Sequence, residues 1–68
     1  MRIEILCTGD EIVTGKTINT NYSHMAQRLE EVGLSVFWGT TVGDDRESLV
    51  VAFKQASERA DTVIVNGG

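Results

Sequence analysis

The chain has 68 residues, 41% of them hydrophobic and 24% charged, a composition that reads as soluble and globular with room for one domain at most. A domain of this size buries only about 60% of the surface its unfolded chain exposes, so its stability is marginal. Ten acidic residues against six basic ones give a net charge of −4, which argues against a sequence-independent nucleic-acid binder, since that needs a basic stripe.

No window approaches the ~20 apolar residues of a membrane span. A strand begins at once, with no charged-then-apolar leader, so no export signal is expected. A single cysteine cannot form an internal disulfide and suits a reducing, cytoplasmic setting. Small anionic ligands remain compatible with the charge, because backbone N–H groups at helix starts hold phosphate without net positive charge.

Residues 2–8 read as a strand, with Ile3, Ile5 and Cys7 on one face and Glu4 and Leu6 on the other. Apolar residues on both faces toward its carboxyl end suit a central strand of a parallel sheet. Cys7 reads as a small buried hydrophobe rather than a nucleophile. An irregular loop follows over 9–19, longer than the usual two-to-six-residue βα connection and therefore functional or mobile in kind. A helix is expected from Asn21 to Val32, with Tyr22, Met25, Ala26, Leu29 and Val32 on one stripe and His24 outside it, exposed. Asn19, Thr20 and Asn21 are all N-cap types, and Gly33 suits the left-handed residue that ends a helix.

Leu34–Val42 reads as a second strand, in which Gly39 marks a bulge or an edge and Phe37 and Trp38 are packing residues. Asp44-Asp45-Arg46-Glu47 resembles a capping box, making Asp44 a candidate helix N-cap. The second helix carries Leu49, Ala52, Phe53, Ala56 and Ala60 on its apolar stripe. After Asp61, the run Thr62-Val63-Ile64-Val65 reads as a strand buried on both faces. The alternation β-α-β-α-β calls for a parallel sheet with right-handed crossovers and strand order 2-1-3. The chain stops at Gly67-Gly68 without a closing helix, so the front part of a longer domain is expected. An exposed edge strand and an incomplete core leave room for a partner subunit, a homo-oligomer included.

In an open α/β sheet, ligands bind beyond the carboxyl ends of the strands, where connections diverge. Three segments deliver polar groups there: Thr8-Gly9-Asp10-Glu11, Thr41-Val42-Gly43-Asp44-Asp45 and Val65-Asn66-Gly67-Gly68. Thr8 and Gly9 offer a sharp turn and N–H groups to an anion. Asp10 and Glu11 add carboxylates, which make sense beside a phosphate when a divalent metal bridges them or when one acts as a base. The bland alternatives are a capped turn at Asp10, a solvated Glu11, an N-cap at Asp44 and a plain Gly-Gly turn. Asn19 and Asn21 could bond a ligand, though capping accounts for them too. The three loops are expected to form one anion-binding rim.

These residues resemble the N-terminal, molybdopterin-binding-like domain of the competence-damage-inducible CinA family. The carriers are Thr8-Gly9-Asp10-Glu11, Gly15 with Asn19-Thr20-Asn21, Thr41-Val42-Gly43-Asp44-Asp45 and Asn66-Gly67-Gly68, in family order along the whole chain. The resemblance implies a three-layer α/β/α sandwich around a mainly parallel sheet. Residues 1–68 would then be the N-terminal part of a MoaB/Mog-like domain. It implies molybdopterin or a pyrophosphate nucleotide as ligand, and Asp44 and Asp10 as catalytic residues and ligands of a divalent metal. It also implies contacts from Thr8, Gly9, Glu11, Gly43, Asn66, Gly67 and Gly68, with Asn19 and Asn21 added as candidates from their residue types. The activity implied for the full-length protein is metal-dependent hydrolysis of ADP-ribose-type pyrophosphates. The 68 residues alone are expected to lack turnover. A non-catalytic molybdopterin- or nucleotide-binding domain and an inactive fragment are the alternatives.

Overall fold

In a computed structural model, which describes residues 1–15 and 20–67, three parallel strands form one sheet in the order β2-β1-β3. The elements run β1 (Ile3–Thr8), α1 (Asp10–Val13), α2 (Thr20–Glu31), β2 (Val36–Val42), α3 (Arg46–Arg59) and β3 (Thr62–Gly67). β1 pairs with both neighbours, Thr8 opposite Val42 on one side and opposite Gly67 on the other. Central placement explains its apolar sequence. Every residue of β1 is buried, Cys7 among them, whereas β2 and β3 are half-exposed. Thr62–Val65 is therefore not covered on both faces as expected. Val65 is 49% exposed, because its strand lies at an edge of the described sheet.

The two long helices cover opposite faces. Tyr22 of α2 lies over Gly39, where an added Cβ would stand 2.6 Å from the Tyr22 hydroxyl and 2.7–2.9 Å from its ring. Gly39 thus makes room for an aromatic side chain. The expected irregularity in β2 falls elsewhere, at Phe37, where the register against β1 slips between Ile3 and Glu4. Arg59 of α3 meets the other face, at Glu4 and Thr40. The expected apolar stripe of α3 holds at Ala52 and Ala56, both buried, and fails at Phe53, which is 43% exposed.

α2 ends as anticipated. Gly33, at φ 83°, donates to Glu30 O, and Leu34 donates to Leu29 O, the bond pair of a Schellman motif. That closure draws Leu34 into the helix end, so β2 begins at Val36 instead. It also leaves Val32 outside the helix, exposed.

The sheet's middle holds a charge that sequence patterning places without explaining. Glu4 has no exposed surface, yet both its carboxylate oxygens are bonded. Arg59 Nε donates to Oε1 at 2.8 Å, Arg59 Nη2 donates to Oε2 at 3.0 Å, and the Thr40 hydroxyl donates to Oε2 at 2.7 Å. Trp38 covers the guanidinium, whose central carbon sits 4.5 Å from the ring centroid. Burial pushes the Glu4 carboxyl up, but the Arg59 and Thr40 hydrogen bonds and the Arg59 charge together hold it below its ordinary value.

Candidate functional site

β1 and β2 end side by side and feed two loops that are bonded to each other. Gly9 N–H donates to Val42 O at 3.0 Å, carrying the parallel ladder one residue past Thr8. This N–H, expected to face an anion, is thereby committed to the neighbouring strand. The chain then turns directly into α1, a short helix where an irregular loop was expected. Asp10 opens it, and its Oδ1 accepts the Asp44 N–H at 3.1 Å. Two carboxylate-bearing residues distant in sequence are thus held at one end of the sheet.

The helix cap is one residue later than the capping-box pattern implied. Asp45, extended at φ −69° and ψ 144°, accepts the Ser48 N–H at 2.9 Å and so satisfies a free donor of the first turn of α3. The Ser48 hydrogen bonds hold the Asp45 carboxyl below its ordinary value. Asp44 is released from capping. Among the described residues its carboxylate has no hydrogen-bond partner, and the residue is exposed.

The third segment arrives as strand rather than loop. Asn66 pairs with Cys7 and Gly67 with Thr8, and a Cβ on Gly67 would lie 3.6 Å from Thr8 Oγ1. Thr8, Gly9, Asp10, Gly43, Asp44, Asn66 and Gly67 therefore share the carboxyl edge of one sheet. Asn21 lies in the first turn of α2, exposed, with no hydrogen bond to this edge among the described residues. Asn19, Gly68 and the side chain of Glu11 lie outside what the structure describes. A groove of about 460 Å³ opens beside the rim between β2 and α3, touching Val42 and Ser48, but none of the candidate residues borders it.

The sequence pattern did not reveal that Gly43 matters for space. A Cβ there would stand 2.7 Å from Asp10 Oδ1. A glycine immediately before an acidic residue at a strand end was the available sign. His24 is exposed, as expected from its place off the α2 stripe. No group of three or more potential metal-ligating side chains occurs among the described residues, and no helix there is long and apolar enough to cross a membrane.

Residues 4–68 match the family model described as "Probable molybdopterin binding domain". Over all 68 residues the chain is 46% identical to a CinA-like protein of Myxococcus xanthus and 43% identical to one of Shewanella frigidimarina. It is also 43% identical over its whole length to a putative competence-damage inducible protein of Caldicellulosiruptor bescii. In each case it spans 16% of the relative's length. Among solved structures, the protein CinA of Thermoplasma acidophilum superposes with a TM-score of 0.86 at 33% identity. That match covers 94% of this chain and 38% of the other. The chain belongs to the probable molybdopterin binding domain family and is similar along its whole length to CinA-like proteins.

Proposed function

We propose that the carboxyl edge of the sheet holds a phosphate-bearing small molecule, and that the whole protein hydrolyses a pyrophosphate of the ADP-ribose type there with a divalent cation. The observation that supports this is the hydrogen bond from Asp44 N–H to Asp10 Oδ1, which joins two acidic residues distant in sequence at the same sheet edge that ends in the exposed Gly67. The donor set fits a hard cation such as Mg²⁺, which takes one or two carboxylates and fills its shell from water and substrate phosphates. When bound, that cation would supply charge neutralisation of phosphoryl oxygens and a more acidic water. Asp44 would hold it, its backbone N–H bonded to Asp10 Oδ1. Gly67 would let the ligand approach the backbone.

Replacing Asp44 by Ala in the whole protein is expected to lower AMP release from ADP-ribose about 10²–10³-fold. Chelation of divalent cations is expected to abolish it. Turnover that survives both would overturn the reading. The family description favours a second reading, a site that binds molybdopterin or a nucleotide without turnover. Calorimetry showing tight binding of either compound with no AMP released would select it.

A further inference from the structure

Asp10 spends one carboxylate oxygen inside the protein. Its Oδ1 accepts the Asp44 N–H across 34 residues of sequence, and the Gly9 N–H to Val42 O bond joins the same two loops one step back. The space for that oxygen exists because residue 43 has no side chain. A Cβ there would stand 2.7 Å from Asp10 Oδ1 and 3.4 Å from Asp45 Oδ1. On its far side Asp44 is followed by Asp45, which is fixed to Ser48 N as the α3 cap. The backbone of Asp44 is consequently anchored at both ends while its carboxylate has no partner among the described residues.

We infer that Asp10 is the positioning residue of this site: it clips the Gly43–Asp44 peptide and so fixes where the Asp44 carboxylate projects, without itself touching the ligand. The inference deepens the proposed reading and rests on Asp44 as the carboxylate that serves the pyrophosphate. A clip requires only an acceptor at Oδ1, which the amide oxygen of Asn also provides. Contact with a cation or a proton requires the charge, which Asn lacks. The two roles therefore separate in one substitution. Gly43→Ala supplies an independent route to the same loss, because its new methyl meets the tip of the Asp10 side chain rather than backbone.

Wild type, Asp10→Asn, Asp10→Ala and Gly43→Ala are compared in the whole protein by exchange of the Asp44 amide without ligand, and by Mg²⁺-dependent AMP release from ADP-ribose. The expected result is faster Asp44 exchange in both Ala variants, with kcat reduced about 10–100-fold and KM little changed, as for other orienting partners. Asp10→Asn is expected to keep wild-type-like exchange and most of the turnover. Loss in Asp10→Asn as large as in Asp10→Ala would overturn the inference, since the charge would then be what acts. Unchanged Asp44 exchange in Asp10→Ala would overturn it as well. If wild type neither binds nor cleaves ADP-ribose, the proposed function fails, and the exchange comparison by itself still decides the clip.

Discussion

Glu4 carries the clearest energetic consequence at the level of single residues. Its carboxylate is fully buried and its partner Arg59 is 27% exposed at the side chain, so solvent screens the pair only from the Arg59 side. Removing the charge with Glu4→Gln is expected to lower stability at neutral pH by about 1.5–2 kcal/mol, the lower part of the range for charged hydrogen bonds. The sign of the pH dependence follows from the direction of the shift. The folded-state pKa is lowered, so the stabilisation is complete above the ordinary carboxyl value of 4.5 and is lost as pH falls through the folded value. Denaturant midpoints measured from neutral pH downward are expected to fall less steeply for Glu4→Gln than for wild type. Parallel pH curves would show that the ion pair contributes nothing. Sequence alone signalled only that a charged residue sits inside an apolar strand. Its partner lies 55 residues away, at the end of a helix, and no local pattern names it.

At the scale of elements, close approach decides what spacing could not. Gly39 permits the Tyr22 ring to lie against β2, so Gly39→Ala forces that ring to move and is expected to destabilise the chain by about 1–3 kcal/mol. A denaturation midpoint equal to wild type would contradict this packing. The closing Gly33 and most of the periodicity of α2 and α3 were readable, because each depends on neighbours within one or two helical turns. The cap of α3 was misplaced by one residue. Asp44 and Asp45 are equivalent by type, and what separates them is a hydrogen bond from the Asp44 N–H to Asp10 at the start of α1. Phe53 and Val65 were assigned to covered faces because apolar sequence does not say which elements flank them. Both are exposed here.

Over the whole molecule, the strand order 2-1-3 is what makes a site available. β1 in the centre brings its end beside the ends of both neighbours, and Thr8 is paired with Val42 and Gly67 at once. That convergence was legible in the sequence, since right-handed crossovers on a short β-α-β-α-β chain leave few arrangements. The chemistry at the edge was legible only as residue types. Which N–H groups remain for a ligand depends on bonds between loops, and Gly9 and Asp44 have already given theirs to Val42 and Asp10. The most direct test is to titrate ADP-ribose with Mg²⁺ into the isotopically labelled protein and follow backbone amide shifts. The expected result is a cluster of changes at Gly9, Asp10, Gly43, Asp44, Asn66 and Gly67. Changes centred instead on the groove of His24, Met25, Arg28, Leu29 and Ile64, with the carboxyl edge silent, would contradict the account.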